Sequence, residues 1–189
     1  MKKLFTFLGL VTLLLTPGLK AQTDAEMKAW QEYMQPGEVH KMIAHSDGEW
    51  NNDITMWMDS TQPPTKTTAV SKNEMIMGGR YQLSKTTGTM MGMPFEGLSL
   101  LGYDNKKKIF TSTWIDNFGT GTLTSEGAWD EQAKTINLKG KSIDPMSGKE
   151  IMIRQVIKFI DNDTQQFEMF DDRLGKEVKS MEIKLTRKK

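Results

Sequence analysis

The sequence predicts an all-β fold: about ten antiparallel strands closed into an up-and-down barrel, preceded by a short helical segment. Three observations carry that expectation. Apolar residues recur at spacings of three and four up to Ala44, then switch to strict alternation from Trp50 onward. The alternating runs are joined by short connectors, too short for the crossovers that parallel strands need. An open sheet of so many successive strands would leave long unpaired edges, which closure removes.

The chain starts with the basic head Met1-Lys2-Lys3 and the apolar run Leu4 to Leu15, bounded by Pro17-Gly18 and the small residue Ala21. This is the pattern of a secretory leader, with cleavage expected between Ala21 and Gln22. The run is well short of the roughly 20 residues that span a bilayer, so the expectation is an exported protein, periplasmic or extracellular, without a stable membrane anchor. In Asp24 to Ala44, Met27, Trp30, Tyr33 and Met34 mark one helical face; Pro36-Gly37 interrupts it, and a second short helix over Glu38 to Ala44 buries Val39, Met42 and Ile43.

The first strand opens near Trp50, with Trp50, Ile54, Met56 and Met58 on one face. Further strands are expected at Thr65 to Met77, Arg80 to Thr87, Phe95 to Tyr103, Lys108 to Ile115 and Thr120 to Trp129, then at Thr135 to Ile143, Ile151 to Ile160, Gln165 to Asp171 and Val178 to Thr186. Gly78-Gly79, Asp104-Asn105, Asp130-Glu131, Asp144 to Gly148, Asp161-Asn162-Asp163 and Leu174-Gly175 supply the turns, because Gly and Asn adopt positive φ and Asp closes a turn with its side chain. Asp59 to Pro64 and Thr86 to Pro94 read as loops at the barrel mouth.

Composition narrows the function classes. Cleavage after Ala21 removes three of the 25 basic residues and none of the 24 acidic ones, so the formal charge moves from +1 to −2. Such a balance lacks the electrostatic footprint of a nucleic-acid binder. The absence of cysteine excludes disulfides, thiolate metal sites and a cysteine nucleophile. Residues 22–189 are expected to form a single barrel domain, large enough to bury a core without covalent staples.

Gly48-Glu49-Trp50 follows the short helix, and Arg187 closes the last strand. The arrangement resembles the lipocalin and fatty-acid-binding superfamily of calycin-like barrels. That resemblance implies a structural role for Gly48, Trp50 and Arg187, with the indole plugging the closed end and the guanidinium packed over it. A broader likeness covers roughly residues 45–187: Gly78-Gly79-Arg80-Tyr81, Gly102-Tyr103-Asp104-Asn105, Thr113-Trp114-Ile115-Asp116, Gly119-Thr120-Gly121, Ser125-Glu126-Gly127, Asp144-Pro145-x-x-Gly148 and Asp161-Asn162-Asp163. These blocks resemble the bacterial family called domain of unknown function 1579. The resemblance implies a fold and carries over no catalytic residue.

For chemistry, the first expectation is a binding protein whose interior holds a small apolar or amphipathic molecule. Its candidate contacts are Met56, Met58, Met75, Met77, Arg80, Trp114, Asp116 and Glu126. An alternative is an enzyme in which Asp116, Glu126 and Arg80 converge as acid, base and anion anchor. A third is Cu(I) handling through thioethers, since the chain has fifteen methionines and clusters Met90, Met91 and Met93 near Met75 and Met77. Strand charges such as Arg80, Arg154 and Glu168 read equally as a solvated outer face. No cofactor is expected. His40 and His45 stand five apart before the first strand, a spacing that places no zinc site, and neither suits the proximal ligand of a haem barrel of the nitrobindin type. Ser-His-Asp groupings and phosphate loops are absent.

Overall fold

The computed structural model describes residues 23–58 and 62–189. The expected leader and its cleavage point lie outside the described residues, as do residues 59–61 of the Asp59 to Pro64 connection. The chain divides into two compact units, one ending at Met34 and the other spanning Gln35–Lys189.

The first unit contributes helix α1 (Asp24–Met34). Thr23 caps it: its Oγ1 accepts from the Glu26 backbone N–H at 3.2 Å, while the Glu26 carboxylate accepts from the Thr23 N–H at 2.7 Å. This reciprocal pair satisfies two of the donors a helix start leaves free. None of the α1 residues is buried.

The second unit holds helix α2 (Glu38–Ala44) and ten strands: β1 (Gly48–Met56), β2 (Thr65–Ile76), β3 (Tyr81–Met90), β4 (Met93–Asp104), β5 (Ile109–Asp116), β6 (Leu123–Asp130), β7 (Thr135–Ile143), β8 (Glu150–Phe159), β9 (Thr164–Asp171) and β10 (Val178–Arg187). Each strand pairs antiparallel with its sequence neighbour, and β1 pairs with β10 to close the barrel. Inward and outward residues alternate; along β1, Trp50, Asn52, Ile54 and Met56 are buried while Asn51 and Asp53 face water. Ile43 of α2 joins Leu101, Phe110, Ile136 and Leu138 in a core cluster at one end, and Ile54, Met56 and Ala69 form a second cluster in the barrel.

Two segments differ from the sequence expectation. Thr86 to Pro94 is strand rather than loop: β3 runs to Met90 and β4 starts at Met93, joined by Met91 and Gly92 at φ of 53° and 77°. Two successive positive φ values give the hairpin turn whose twist matches its strands. The alternation there is masked because one inward position is Gly88, whose absent side chain makes room for Ala69 on β2. Conversely, Thr120 to Thr122 is not strand; β6 starts at Leu123.

His40 anchors α2. It is 5% exposed, and its Nδ1 accepts from the Gly37 N–H at 3.1 Å, which supplies the cap that glycine cannot. Burial holds the imidazole below its ordinary range; a backbone hydrogen bond at Tyr103 opposes this and the Arg80 charge reinforces it. The unfolded chain therefore binds the proton more readily than the folded one. Stability is expected to fall as pH drops below the unfolded value of about 6.5, until the depressed folded value is passed. Urea midpoints measured on both sides of that window should show the decline, and His40→Gln should flatten it; a wild type with no decline would contradict the assignment.

Candidate functional site

The α2 end of the barrel is shut by a plug built from three distant parts of the chain. The Trp50 indole is fully buried and its Nε1–H donates to the Ser46 carbonyl at 2.9 Å. The Arg187 guanidinium carbon lies 4.3 Å from the centre of that ring. Its fork donates to the carbonyls of Asp47, His45 and Asn162, the last two at 2.7 and 2.9 Å through Nη2. Gly48 stands at φ 118°, and a Cβ there would lie 3.0 Å from Arg187 Nη1, so the glycine admits both the backbone turn and the guanidinium.

Above the plug is a ring of neutral amides and hydroxyls. Asn73 Nδ2 donates to the Ser46 carbonyl at 3.0 Å, and Gln165 Nε2 donates to Ser46 Oγ at 2.6 Å. Gln82 Nε2 is shared between the Ile43 carbonyl at 2.9 Å and Asp47 Oδ1 at 2.8 Å. These bonds tie the segment after α2 to β2, β3 and β9, and they satisfy polar groups that burial would otherwise penalise.

Beyond this ring the barrel holds a cavity of about 220 Å³. Polar and apolar side chains share its lining. On β3, β4 and β5 it carries the hydroxyls of Ser84, Thr86, Ser99 and Ser112 beside Met90 and Leu101; on β1, β8, β9 and β10 it carries Ile54, Ile157, Phe167, Met181, Ile183 and Leu185 beside the amides of Asn52 and Gln165. Phe95 and Trp114 also line it, stacked at 6.3 Å between ring centres, with Phe118 edge-on to Phe95 at 5.5 Å. None of the lining residues is ionisable.

The structure distributes the sequence-derived candidates unevenly. Met56 is buried in the cluster with Ile54 and Ala69, and Trp114 lines the cavity. Met75 packs against the core cluster at the α2 end. Met58 lies past the end of β1 and is half exposed, where it lines an outer groove with Trp57 and Leu174. Met77 is 71% exposed at φ 50° in the β2–β3 turn, because the strand alternation stops one residue earlier, at Ile76.

The charged candidates do not converge. Arg80 folds over the same turn, its Nη1 donating to the Met77 carbonyl at 3.0 Å. Asp116 shares the inward parity of Trp114 but is engaged at the strand end, accepting from Trp114 Nε1 at 2.7 Å and from the Phe118 N–H at 2.9 Å. Glu126 is exposed on the outer face of β6, paired in register with Thr111 and Lys139. Arg154 and Glu168 also belong to outer ion pairs, the former with Glu177 and over the Phe170 ring, the latter with Lys179. As for thioethers, Met77 and the Met91–Met93 hairpin stand at opposite ends of β3, which spans ten residues or about 33 Å at strand rise, so they cannot share one ion.

Sequence reasoning missed the neutral polar lining, since Ser84, Ser99 and Ser112 carry no motif; only the parity of β3, β4 and β5 would have pointed to them.

Comparison with known proteins adds the following. A family model described as "Protein of unknown function (DUF1579)" matches residues 35–187. The fold is similar to that in the "Crystal Structure of Rv2717c from M. tuberculosis", at 12% identity and a TM-score of 0.57, covering 82% of this chain and 100% of that one. At that identity the likeness concerns fold alone. No curated protein matches the sequence.

Proposed function

The chain belongs to the DUF1579 family of proteins of unknown function, and from that premise we propose that it is an exported carrier which holds a small apolar or amphipathic molecule inside its barrel. The observation that supports this most is the barrel cavity of about 220 Å³ with apolar residues and an aromatic pair in its wall and no ionisable lining residue. A well-packed interior leaves few voids larger than a water molecule, so space of this size lined in this way favours an occupant. It is smaller than the roughly 300–1,000 Å³ sites that enclose drug-sized ligands, which favours a compact one.

Native mass spectrometry of the protein purified from its own host tests the reading. The expected spectrum contains a mass increment that is lost on denaturation, on a chain lacking residues 1–21. A protein that arrives without any increment would count against the carrier role, and an intact leader would count against export.

A variant gives an independent check. Ile183 lines the cavity from β10, and Ile183→Trp should fill the space. Binding of whatever molecule the wild type retains is expected to weaken at least about tenfold, since overpacking leaves no volume for it. Unchanged retention by a variant that melts normally would place the ligand elsewhere.

A further inference from the structure

The end of the barrel opposite the plug differs from the plugged end in what its loops expose. In an up-and-down ring alternate connections emerge on the same side, so β1–β2, β3–β4, β5–β6, β7–β8 and β9–β10 all turn at that end, while α2 precedes β1 at the other. Each of these five connections presents an exposed large apolar side chain: Met58, Met91, Phe118, Met146 and Leu174. Met146, at 91% exposure, stands almost wholly in water. At the plug end, among the described residues, the β4–β5 and β6–β7 connections expose none and are built instead from the largely polar residues 105–108 and 131–134. Single apolar residues scattered over a surface are ordinary, but one on every loop of the same end is not scatter.

The cavity reaches this rim, since Met90, the last residue of β3, lines it and directly precedes Met91. The charges nearby largely answer one another. Arg173 pairs with Asp171 at 2.5 Å, Lys141 with Glu150 at 2.7 Å and Arg154 with Glu177 at 2.8 Å, while Lys149 and Lys176 stand against Asp144 and Asp172 on the same two loops. No one sign dominates, so the rim has little field with which to draw a charged partner. The apolar tips stand on separate loops. A fluid lipid surface accommodates such a spacing one side chain at a time, whereas a rigid protein face would have to match its contour.

We propose that this rim is a docking surface for a lipid bilayer, entered by the five apolar tips, with the plugged end turned to water. The contact needs no bound cargo and stands apart from the carrier reading.

Flotation with phosphatidylcholine vesicles, with and without phosphatidylglycerol, tests it on the protein purified from its own host and on variants purified in the same way. The wild type is expected to float with both, within about twofold of each other and with little loss in high salt, because apolar insertion holds it. Met91→Asn/Met146→Ser/Leu174→Ser should lower the partition coefficient at least about tenfold. Asparagine suits the left-handed φ at Met91, and all three side chains are exposed, so the melting temperature should hold. Met77→Asn/Ile160→Ser, which removes exposed apolar residues from the plug end, should float as the wild type does. A wild type that stays out of the vesicle fraction would overturn the proposal. So would a rim variant that floats undiminished, which moves the contact elsewhere, as to the exposed Met27 and Trp30 of α1. An equal loss in the plug-end variant would overturn the assignment to this end, and flotation that requires phosphatidylglycerol or vanishes in salt would put an electrostatic contact in its place. Self-association in the ultracentrifuge that the rim variant abolishes, without flotation, would make the occupant a second copy of the chain.

Discussion

Trp50→Ala is expected to lower the unfolding free energy by about 3–5 kcal/mol, the range for removing a large aromatic from a packed interior. Trp50 has no exposed surface, and three separate attachments meet on it or beside it. Its indole N–H holds the Ser46 carbonyl, Arg187 covers its face, and Asn73 donates to the same carbonyl. Truncation removes the ring, opens a void that β-sheet backbone cannot collapse into, and leaves the Arg187 fork without its aromatic floor. Arg187→Lys should cost less but still measurably, because an ammonium keeps the charge while losing the planar fork that reaches the His45, Asp47 and Asn162 carbonyls together. Urea denaturation followed by circular dichroism measures both. A loss below about 1 kcal/mol for Trp50→Ala, no more than an ordinary substitution, would mean that the plug is not what closes this end.

Gly127→Ala should be at least as damaging, and for a different reason. A Cβ built on Gly127 would lie 1.7 Å from the Asn137 carbonyl oxygen and 2.9 Å from Leu138 Cα. Those atoms belong to the backbone of β7, which pairs with β6 at this very position. No rotamer change relieves a clash with backbone, so the β6–β7 ladder must open. The expected loss therefore exceeds the 1–3 kcal/mol, roughly, of ordinary overpacking, and the variant should be recovered largely insoluble. Gly121→Ala is the control: nothing lies within 4 Å of its Cβ position, and its stability should stay within about 0.5 kcal/mol of the parent. Soluble Gly127→Ala with an unaltered melting temperature would show that the two strands approach less closely than described. Gly97 illustrates the intermediate case, where the added atom would meet the Trp114 ring, a side chain lining the cavity, at 2.4 Å.

Much of the barrel was legible before any coordinates. The helix break at Pro36-Gly37, the strand over Thr135–Ile143 and the inward parity of Trp50, Ile54 and Met56 all follow from local pattern and stand as read. The β3–β4 hairpin did not, because Gly88 on the inner face and Met91 in the turn reverse the usual assignment of residue type to place. Met77 misled for the same reason: a methionine two residues after Met75 continues the alternation on paper, but three successive left-handed residues, Met77, Gly78 and Gly79, turn the chain before it can point inward. The charged candidates Arg80, Asp116 and Glu126 stand within or beside strand-like segments, and a shift of one residue in strand parity decides which face of a closed sheet such a side chain reaches.

What the sequence determined by itself was what depends on neighbours along the chain: the number of strands, most of their turns and their antiparallel sense. Backbone dihedral preferences and the two-residue period act over a few positions and need no partner. Tertiary structure alone decided which residues stand side by side. Asn73, Ser84 and Ser99 become one polar row, and Ile54, Ile183, Phe167 and Ile157 one apolar row, only through the registers of five strand pairs. Register is set by hydrogen bonding between segments up to the whole chain apart, and a slip of one residue would send each row to the opposite face, which is why the character of the cavity could not be read from any stretch of sequence.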